Sequence, residues 1–418
     1  MLEPIEELLV ELQERAAASP AARRDLLAEL GREQGLKPRQ RRRLRVLDAA
    51  ACENAAVVDA AFELATPNGV ARPLRAGIRA MMVRVLAGDL ALGEAGRRVP
   101  WVDWARVLRV RDELARDADP VRRIARAAAL RPEIAARLWR AYGAEADAVA
   151  AGLVGPAPQV LRCNRLRDSR DGLAARLAAE GVRTRPCGSA EDGLEVLGSA
   201  QLFATAAFRE GGFEIQDEAS QLVAALVDPP PGGRVLDVCA GAGGKTLAIA
   251  ARHPDAAILA LDVDGPRLAA LRRRARRAGA ERIEVRRVGV ADWPEEVSAW
   301  ARSADRILVD APCSGIGALR RHPELRERLD EAELRRLGRL QRELLGRAAA
   351  ALRPGARLCY ATCSLLPDEN EVVVEELLAA DPGLGSVPAG VGGERFFRTL
   401  PRPGGPDGFF GARFERRC

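Results

Sequence analysis

Four short apolar runs constrain this chain more than any other feature: RVLDVCA (234–240), AILALDV (257–263), RILVDAP (306–312) and RLCYATC (357–363). None shows a sustained alternation of apolar and polar residues, and helical patterns separate them. Strands buried on both faces read as continuous apolar runs, and helices between them supply the crossovers of a parallel sheet. Residues 231–418 are therefore expected to form an α/β, doubly wound, Rossmann-like domain. The helix after the second run is legible in detail. Pro266 sits in its first turn, Leu268, Leu271, Ala275 and Ala278 share one face, and Gly279 ends it.

The chain upstream has two other textures. Residues 1–135 read as helical: Leu2, Ile5, Leu8, Leu9 and Leu12 recur at spacings of three and four, and Pro20, Pro38, Pro67-Asn68-Gly69, Pro100 and Pro120 punctuate the rest. Residues 136–230 read as a small α/β module. Strand-like QVLRCN (159–164) precedes helical LAARLAAEGV (173–182), and two further short apolar stretches follow. The run Pro229-Pro230-Pro231-Gly232-Gly233 is rigid punctuation before the last domain. A length of 418 residues suits two or three domains.

Composition excludes several classes. Hydrophobic residues make up 48% of the chain, enough to bury a core, yet no apolar run approaches the ~18 residues of a membrane span. The start, MLEPIEELLVELQERAAASP, is acidic and helically patterned rather than secretory, so a cytoplasmic protein without a membrane partner is expected. The eight cysteines at 52, 163, 187, 239, 313, 359, 363 and 418 lack the close spacing of a zinc site, and His253 and His322 are the only histidines. Free thiols in a reducing compartment and no metal are expected. The net charge of +6 is compatible with a polyanionic partner without establishing one. Lys37 and Lys245 are the only lysines among 65 basic residues. Lys245 stands out because it lies in a glycine-rich turn.

That turn, Asp237-Val238-Cys239-Ala240-Gly241-Ala242-Gly243-Gly244-Lys245-Thr246, leaves a strand and opens a helix. Its glycines let the backbone approach a ligand, and the helix start offers unpaired N–H groups. A P-loop would need glycine where Cys239 stands, and a dinucleotide fingerprint would need a third glycine that is missing. An acid-ended strand with a short glycine turn fits S-adenosylmethionine best. Asp262, at the end of the second strand, is placed to accept hydrogen bonds from both ribose hydroxyls.

Asp310-Ala311-Pro312-Cys313-Ser314 and Thr362-Cys363-Ser364 each follow a strand, so both cysteines are expected on the ligand-binding edge of the sheet with the glycine turn. Cys359, on the body of its strand, is assigned to the core. Such a set suits the chemistry of cytosine carbon 5. A thiolate adding at carbon 6 makes carbon 5 nucleophilic, and an acid such as Asp310 can hydrogen-bond the ring nitrogen and exocyclic amine.

Over roughly residues 130–418 the chain resembles the Nop/Nol/Sun family of RNA cytosine-5 methyltransferases, most closely its bacterial 16S ribosomal RNA (RsmB-type) branch. LRCNRLRDSRDGL, GGFEIQDEASQLVA, DVCAGAGGKT, LDVD, DAPCSGIGALRRHPE, YATCSLLPDENE and DGFFGARFER carry the resemblance. It implies a class I methyltransferase domain over 231–418, a small α/β RNA-binding module over 136–230 and a helical, NusB-like RNA-binding domain over 1–135. It also implies Cys363 as nucleophile and Cys313 as the residue that assists product release. The cofactor would touch Cys239, Ala240, Gly241, Ala242, Gly243, Gly244, Lys245, Asp262 and Asp310, with Asp292 as the acid that reads the adenine. The chain departs from the family where Gly241-Ala242 replace Ala-Pro.

RNA, ribosomal RNA first, is the expected partner of a monomer. Nine arginines in residues 266–287, and Arg320-Arg321-His322 after the Cys313 loop, are candidates for gripping phosphates. Aromatic residues make up 4%, too few for base stacking to be the main grip. The alternatives are a transfer RNA cytosine-5 methyltransferase, a non-catalytic RNA-binding or ribosome assembly factor, and an ATPase, which Cys239 disfavours.

Overall fold

The computed structural model describes residues 2–18, 23–66, 69–289 and 293–417. Pro20, the Pro67-Asn68 turn, Asp292 and Cys418 lie outside the described residues. The chain forms two compact units, Met1–Gly155 with Leu319–Glu331, and Pro156–Ala318 with Ala332–Cys418.

The first unit is helical. Its opening helix, Pro4–Ala18, buries Ile5, Leu9 and Leu12, the face marked by the three-and-four spacing, whereas Leu2 is exposed. Leu30, Leu44, Leu47, Met81, Met82 and Val107, from later helices, complete the core. The same opening helix buries Glu6, whose carboxylate accepts from Arg84 at 2.5 Å and from Arg98 at 2.5 Å. A buried charge needs such partners. Leu319–Glu331 joins this unit although it follows the Cys313 loop in sequence. Buried Arg326 fastens it by donating to the carbonyls of Ala128 (2.8 Å), Leu153 (2.5 Å) and Leu319 (3.1 Å).

The second unit holds two sheets. The smaller is antiparallel, built from β1 (Val160–Cys163), β2 (Thr184–Pro186), β3 (Gly193–Val196) and β4 (Phe213–Ile215) in the order β2-β3-β1-β4. With helices Arg170–Ala179 and Ala206–Arg209 between strands, it is a ferredoxin-like split βαβ arrangement.

The larger sheet contains β5 (Arg234–Asp237), β6 (Ala257–Asp262), β7 (Ile283–Arg287), β8 (Arg306–Asp310), β9 (Arg357–Thr362), β10 (Leu384–Val387) and β12 (Phe409–Arg416), with β11 (Phe396–Thr399) paired to β12. Its order is β10-β12-β9-β8-β5-β6-β7. The pairs from β7 through β9 are parallel, and β12 runs antiparallel to β9. This is the expected doubly wound, Rossmann-like sheet. The four apolar runs are β5, β6, β8 and β9, and their centres are buried. Helix Gly265–Ala278 buries Leu268, Leu271, Ala275 and Ala278 and ends at Gly279. The chain leaves β5 for β6 on one side and returns to β8 on the other. The strand order therefore reverses between β5 and β8, where open sheets of this kind bind ligands at the strand carboxyl ends.

Candidate active site

The turn after β5 is built on its neighbour β6. Ala240 donates its backbone N–H to the Leu261 carbonyl at 2.8 Å, and Gly241 donates to Asp262 Oδ2 at 2.7 Å. Asp262 Oδ1 accepts from the Asp264 N–H at 2.8 Å, so one carboxylate fixes the ends of two loops. Gly243 has φ +86°, and a Cβ there would lie 2.1 Å from Leu271 Cδ1. Only glycine satisfies both the left-handed backbone and the contact with helix Gly265–Ala278.

A cavity of about 570 Å³ opens beside this turn. Cys239, Ala240, Gly241, Ala242, Asp262 and Asp310 line it, together with Val263, Val288, Trp293 and Leu344. A few polar groups thus line a largely apolar space, the usual construction of a small-molecule site. Gly243, Gly244 and Lys245 do not line it. Lys245 is buried and directs its Nζ to Asp310 Oδ2 at 2.7 Å, with the Phe409 ring centroid 5.0 Å away. Burial works against the Lys245 ammonium, but Asp310 more than offsets it and the pKa is raised. Asp237 is buried at the end of β5, accepts from the Thr246 hydroxyl at 2.7 Å and leaves Oδ1 unpaired. Burial pushes its carboxyl up to about 7, a rise that the Thr246 hydrogen bond opposes and the Asp310 charge reinforces. Burial, with the neighbouring acids Asp237, Asp310 and Asp262, pushes the Cys239 thiol well up.

The two cysteine loops meet. Cys313 Sγ and Cys363 Sγ are 3.4 Å apart although 50 residues separate them in sequence. Backbone contacts set this approach: Ala311 donates to the Ala361 carbonyl at 2.9 Å, and Gly317 donates to the carbonyl of Cys363 itself at 2.9 Å. Gly317 can do so because it has no side chain; a Cβ would fall 2.1 Å from the Gly408 carbonyl oxygen. The hydrogen bond with Cys363, then burial, hold the Cys313 thiol well above its ordinary pKa. Cys363 also lies within electrostatic reach of the Lys245 ammonium. Cys359 is buried, contacts the Leu226 carbonyl at 3.4 Å, and is pushed up to about 12 by burial, as befits a core residue. All seven described cysteines are free.

The structure therefore brings together Asp310, Cys313, Cys363 and Lys245 on one side, and Asp262 with the Cys239–Ala242 turn on the other. Asp310 borders both. Asp292 lies outside the described residues, directly before Trp293, which lines the cavity. The arginine-rich stretch divides. Arg274 and Arg277 are spent on Glu214, with Arg274 also donating to the Ala242 carbonyl at 2.5 Å. Arg273, Arg276 and Arg282 are exposed. Arg320 is buried, so it is no exposed phosphate grip.

Comparison with known proteins places this arrangement. The family described as 16S rRNA methyltransferase RsmB/F matches residues 224–415, and the RsmF/B-like ferredoxin-like domain matches residues 134–202. Ribosomal RNA small subunit methyltransferase B of Xylella fastidiosa strain 9a5c is 38% identical over 290 residues, 67% of either chain. The chain belongs to the RsmB/F family. The relative of the same description from Pseudomonas syringae pv. tomato is 34% identical over 287 residues, 66% of this chain. The RsmB/F chain spans 63% of that relative and 60% of the one from Salmonella arizonae. Among solved structures, PH0851 aligns over all of both chains with a TM-score of 0.75 at 24% identity, a likeness of fold. A methyltransferase homolog protein from Pyrococcus horikoshii covers 68% of this RsmB/F chain and 95% of its own, with a TM-score of 0.59 at 27% identity.

Sequence reasoning missed Trp293, Gln341 and Glu369. Glu369 carried the strongest signal: it stands six residues after Cys363, in the quoted YATCSLLPDENE. A carboxylate that close to a nucleophile candidate invites a question about its burial, which no apolar periodicity could answer.

Proposed function

We propose that this RsmB/F chain methylates carbon 5 of a cytosine in small-subunit ribosomal RNA, using S-adenosylmethionine, through a covalent bond to Cys363. The observation that carries the reading is the 3.4 Å approach of Cys363 to Cys313, which directly follows the Asp310-Ala311-Pro312 segment that lines the Asp262 cavity.

The cavity fits the cofactor on chemistry. Its Asp262 oxygens each hold one backbone N–H and keep lone pairs for ribose hydroxyls, and its apolar walls suit an adenine. S-adenosylmethionine would supply an electrophilic methyl group there. The chain's own residues do the rest. Cys363 adds to cytosine carbon 6, which loads electron density onto carbon 5. Asp310, held by Lys245, hydrogen-bonds the ring nitrogen and amine as charge moves. After carbon 5 is methylated, Cys313, as a thiolate that has given its own proton to solvent, takes the carbon 5 proton; the electron pair left behind restores the 5,6 double bond, and Cys363 leaves as a thiolate. A thiol whose pKa is raised yields, once ionised, a strong base for that step. The target base would have to leave its stack to reach the paired sulfurs.

The helical unit and the ferredoxin-like sheet, with exposed Arg273, Arg276 and Arg282, are proposed to hold the RNA in the cytoplasm, the helical unit in a NusB-like manner. Bisulfite sequencing of total RNA from cells lacking the protein tests the reading. Loss of one 5-methylcytosine from 16S ribosomal RNA supports it. Loss from a transfer RNA instead, or no loss at all, overturns it.

A further inference from the structure

Glu369 is buried completely, carries a carboxylate, and has no part in the reaction as written above. Every contact it makes leads to the cysteine loops. Oε1 accepts from the Ser314 N–H at 2.8 Å and from Gln341 Nε2 at 3.0 Å. Oε2 accepts from the Ser314 hydroxyl at 2.5 Å and from the Ser364 hydroxyl at 2.5 Å. Ser314 follows Cys313, and Ser364 follows Cys363. Gln341 in turn donates to the carbonyl of Pro312, which precedes Cys313. The backbone carbonyl of Glu369 takes the buried Tyr360 hydroxyl at 2.6 Å, and Asn370 bridges the Thr362 hydroxyl (2.6 Å) and the Ser364 carbonyl (3.0 Å).

We propose that Glu369 is a positioning residue for the cysteine pair, one carboxylate cross-bracing the two loops so that the sulfurs stay in contact. Burying an ion is costly, and four hydrogen bonds, three from the two cysteine loops and one from Gln341, are what make this one tolerable. A neutral side chain would close the same core at less cost, so stability alone does not account for the charge. Together with the Cys363 contact and burial, the charge of Glu369 raises the Cys313 thiol. The role in catalysis rests on the methyltransferase reading; the brace and its effect on Cys313 do not.

The test uses the full chain. Iodoacetamide alkylation of Cys313 and Cys363, followed by mass spectrometry from pH 6 to 10, needs no RNA. Glu369→Gln keeps the shape and one acceptor but removes the charge. Cys313 should then alkylate faster, its rate profile displaced to lower pH. Methylation of ribosomal RNA should lose about tenfold or more in kcat, ~1.4 kcal/mol, with KM and S-adenosylhomocysteine affinity within twofold. Ser314→Ala and Ser364→Ala each remove one arm and should lower kcat with native melting. An unshifted Cys313 profile in Glu369→Gln overturns the proposal, as does equal loss of kcat, cofactor affinity and melting temperature. Should Glu369→Gln not fold, wild-type kcat in both serine variants overturns it. If the wild-type chain methylates no RNA while the Cys313 profile shifts as stated, the functional reading falls and the brace stands.

Discussion

Asp262→Ala should weaken cofactor binding and, unlike a simple contact mutation, also loosen the site that binds it. The carboxylate accepts the Gly241 N–H at 2.7 Å and the Asp264 N–H at 2.8 Å. Hydrogen bonds to a charged group contribute about 1.5–3 kcal/mol each, and a half-exposed site lies toward the low end. Water replaces part of what alanine removes, so a net stability loss of about 1.5–3 kcal/mol is expected. For a domain of this size that lowers the melting temperature by about 3–12 °C. The ribose hydroxyls lose their charged acceptor as well, worth a further ~1.5–3 kcal/mol, or roughly 10–150-fold in Kd. Asp262→Asn should fall between, because one amide oxygen can serve one N–H while its NH2 faces the other. Calorimetric titration with S-adenosylhomocysteine, paired with thermal melts, reads both effects. A folded alanine variant with Kd within threefold of wild type would remove Asp262 from the cofactor site. Unchanged melting with weakened binding would show that the two backbone hydrogen bonds contribute nothing net.

Two further outcomes follow from the same turn. Gly243→Ala should cost about 2–5 kcal/mol, combining left-handed strain with overpacking against Leu271, and less in a Leu271→Ala background; urea unfolding measures it, and a cost below ~1 kcal/mol contradicts the geometry. Asp237, with its carboxyl pushed up to about 7, binds its proton more tightly folded than unfolded. Its contribution is therefore fully present below about pH 4 and is lost as pH rises through 7, by up to ~1.4 kcal/mol per unit. Asp237→Asn should flatten that decline between pH 5 and 7.5, and identical slopes in the two proteins would contradict the burial argument.

What could be read from the sequence was continuous apolar runs and helical spacing. The four apolar runs announced β5, β6, β8 and β9, because strands covered on both faces cannot carry polar residues at their centres. The same runs placed Cys313 and Cys363 on one sheet edge, which is why a pair 50 residues apart could be expected to meet. Two kinds of fact stayed hidden. One is the fate of polar side chains in the core: Glu6 in a helix that reads as amphipathic, and Glu369 six residues after Cys363, are both fully buried because distant residues satisfy them. The other is membership of a unit across the chain. Nothing local in Leu319–Glu331 says that it packs with the helices of the first 155 residues; that depends on Arg326 finding carbonyls some 170 to 200 residues upstream. Arginine bias hid a distinction of the first kind, between Arg274 and Arg277, bound to Glu214, and the exposed Arg273 and Arg276.

The central claim is the division of labour between the two sulfurs, and denaturing electrophoresis of enzyme incubated with ribosomal RNA and S-adenosylmethionine tests it most directly. Cys313→Ala leaves Cys363 free to attack but removes the group that takes the carbon 5 proton, so the base should remain bonded to Cys363 and a slowly migrating protein–RNA band should accumulate. Cys363→Ala should give no band, and adding it to Cys313→Ala should abolish the one seen. A band with Cys363→Ala and none with Cys313→Ala would reverse the roles. No band from either variant, with both still active, would contradict the covalent mechanism itself.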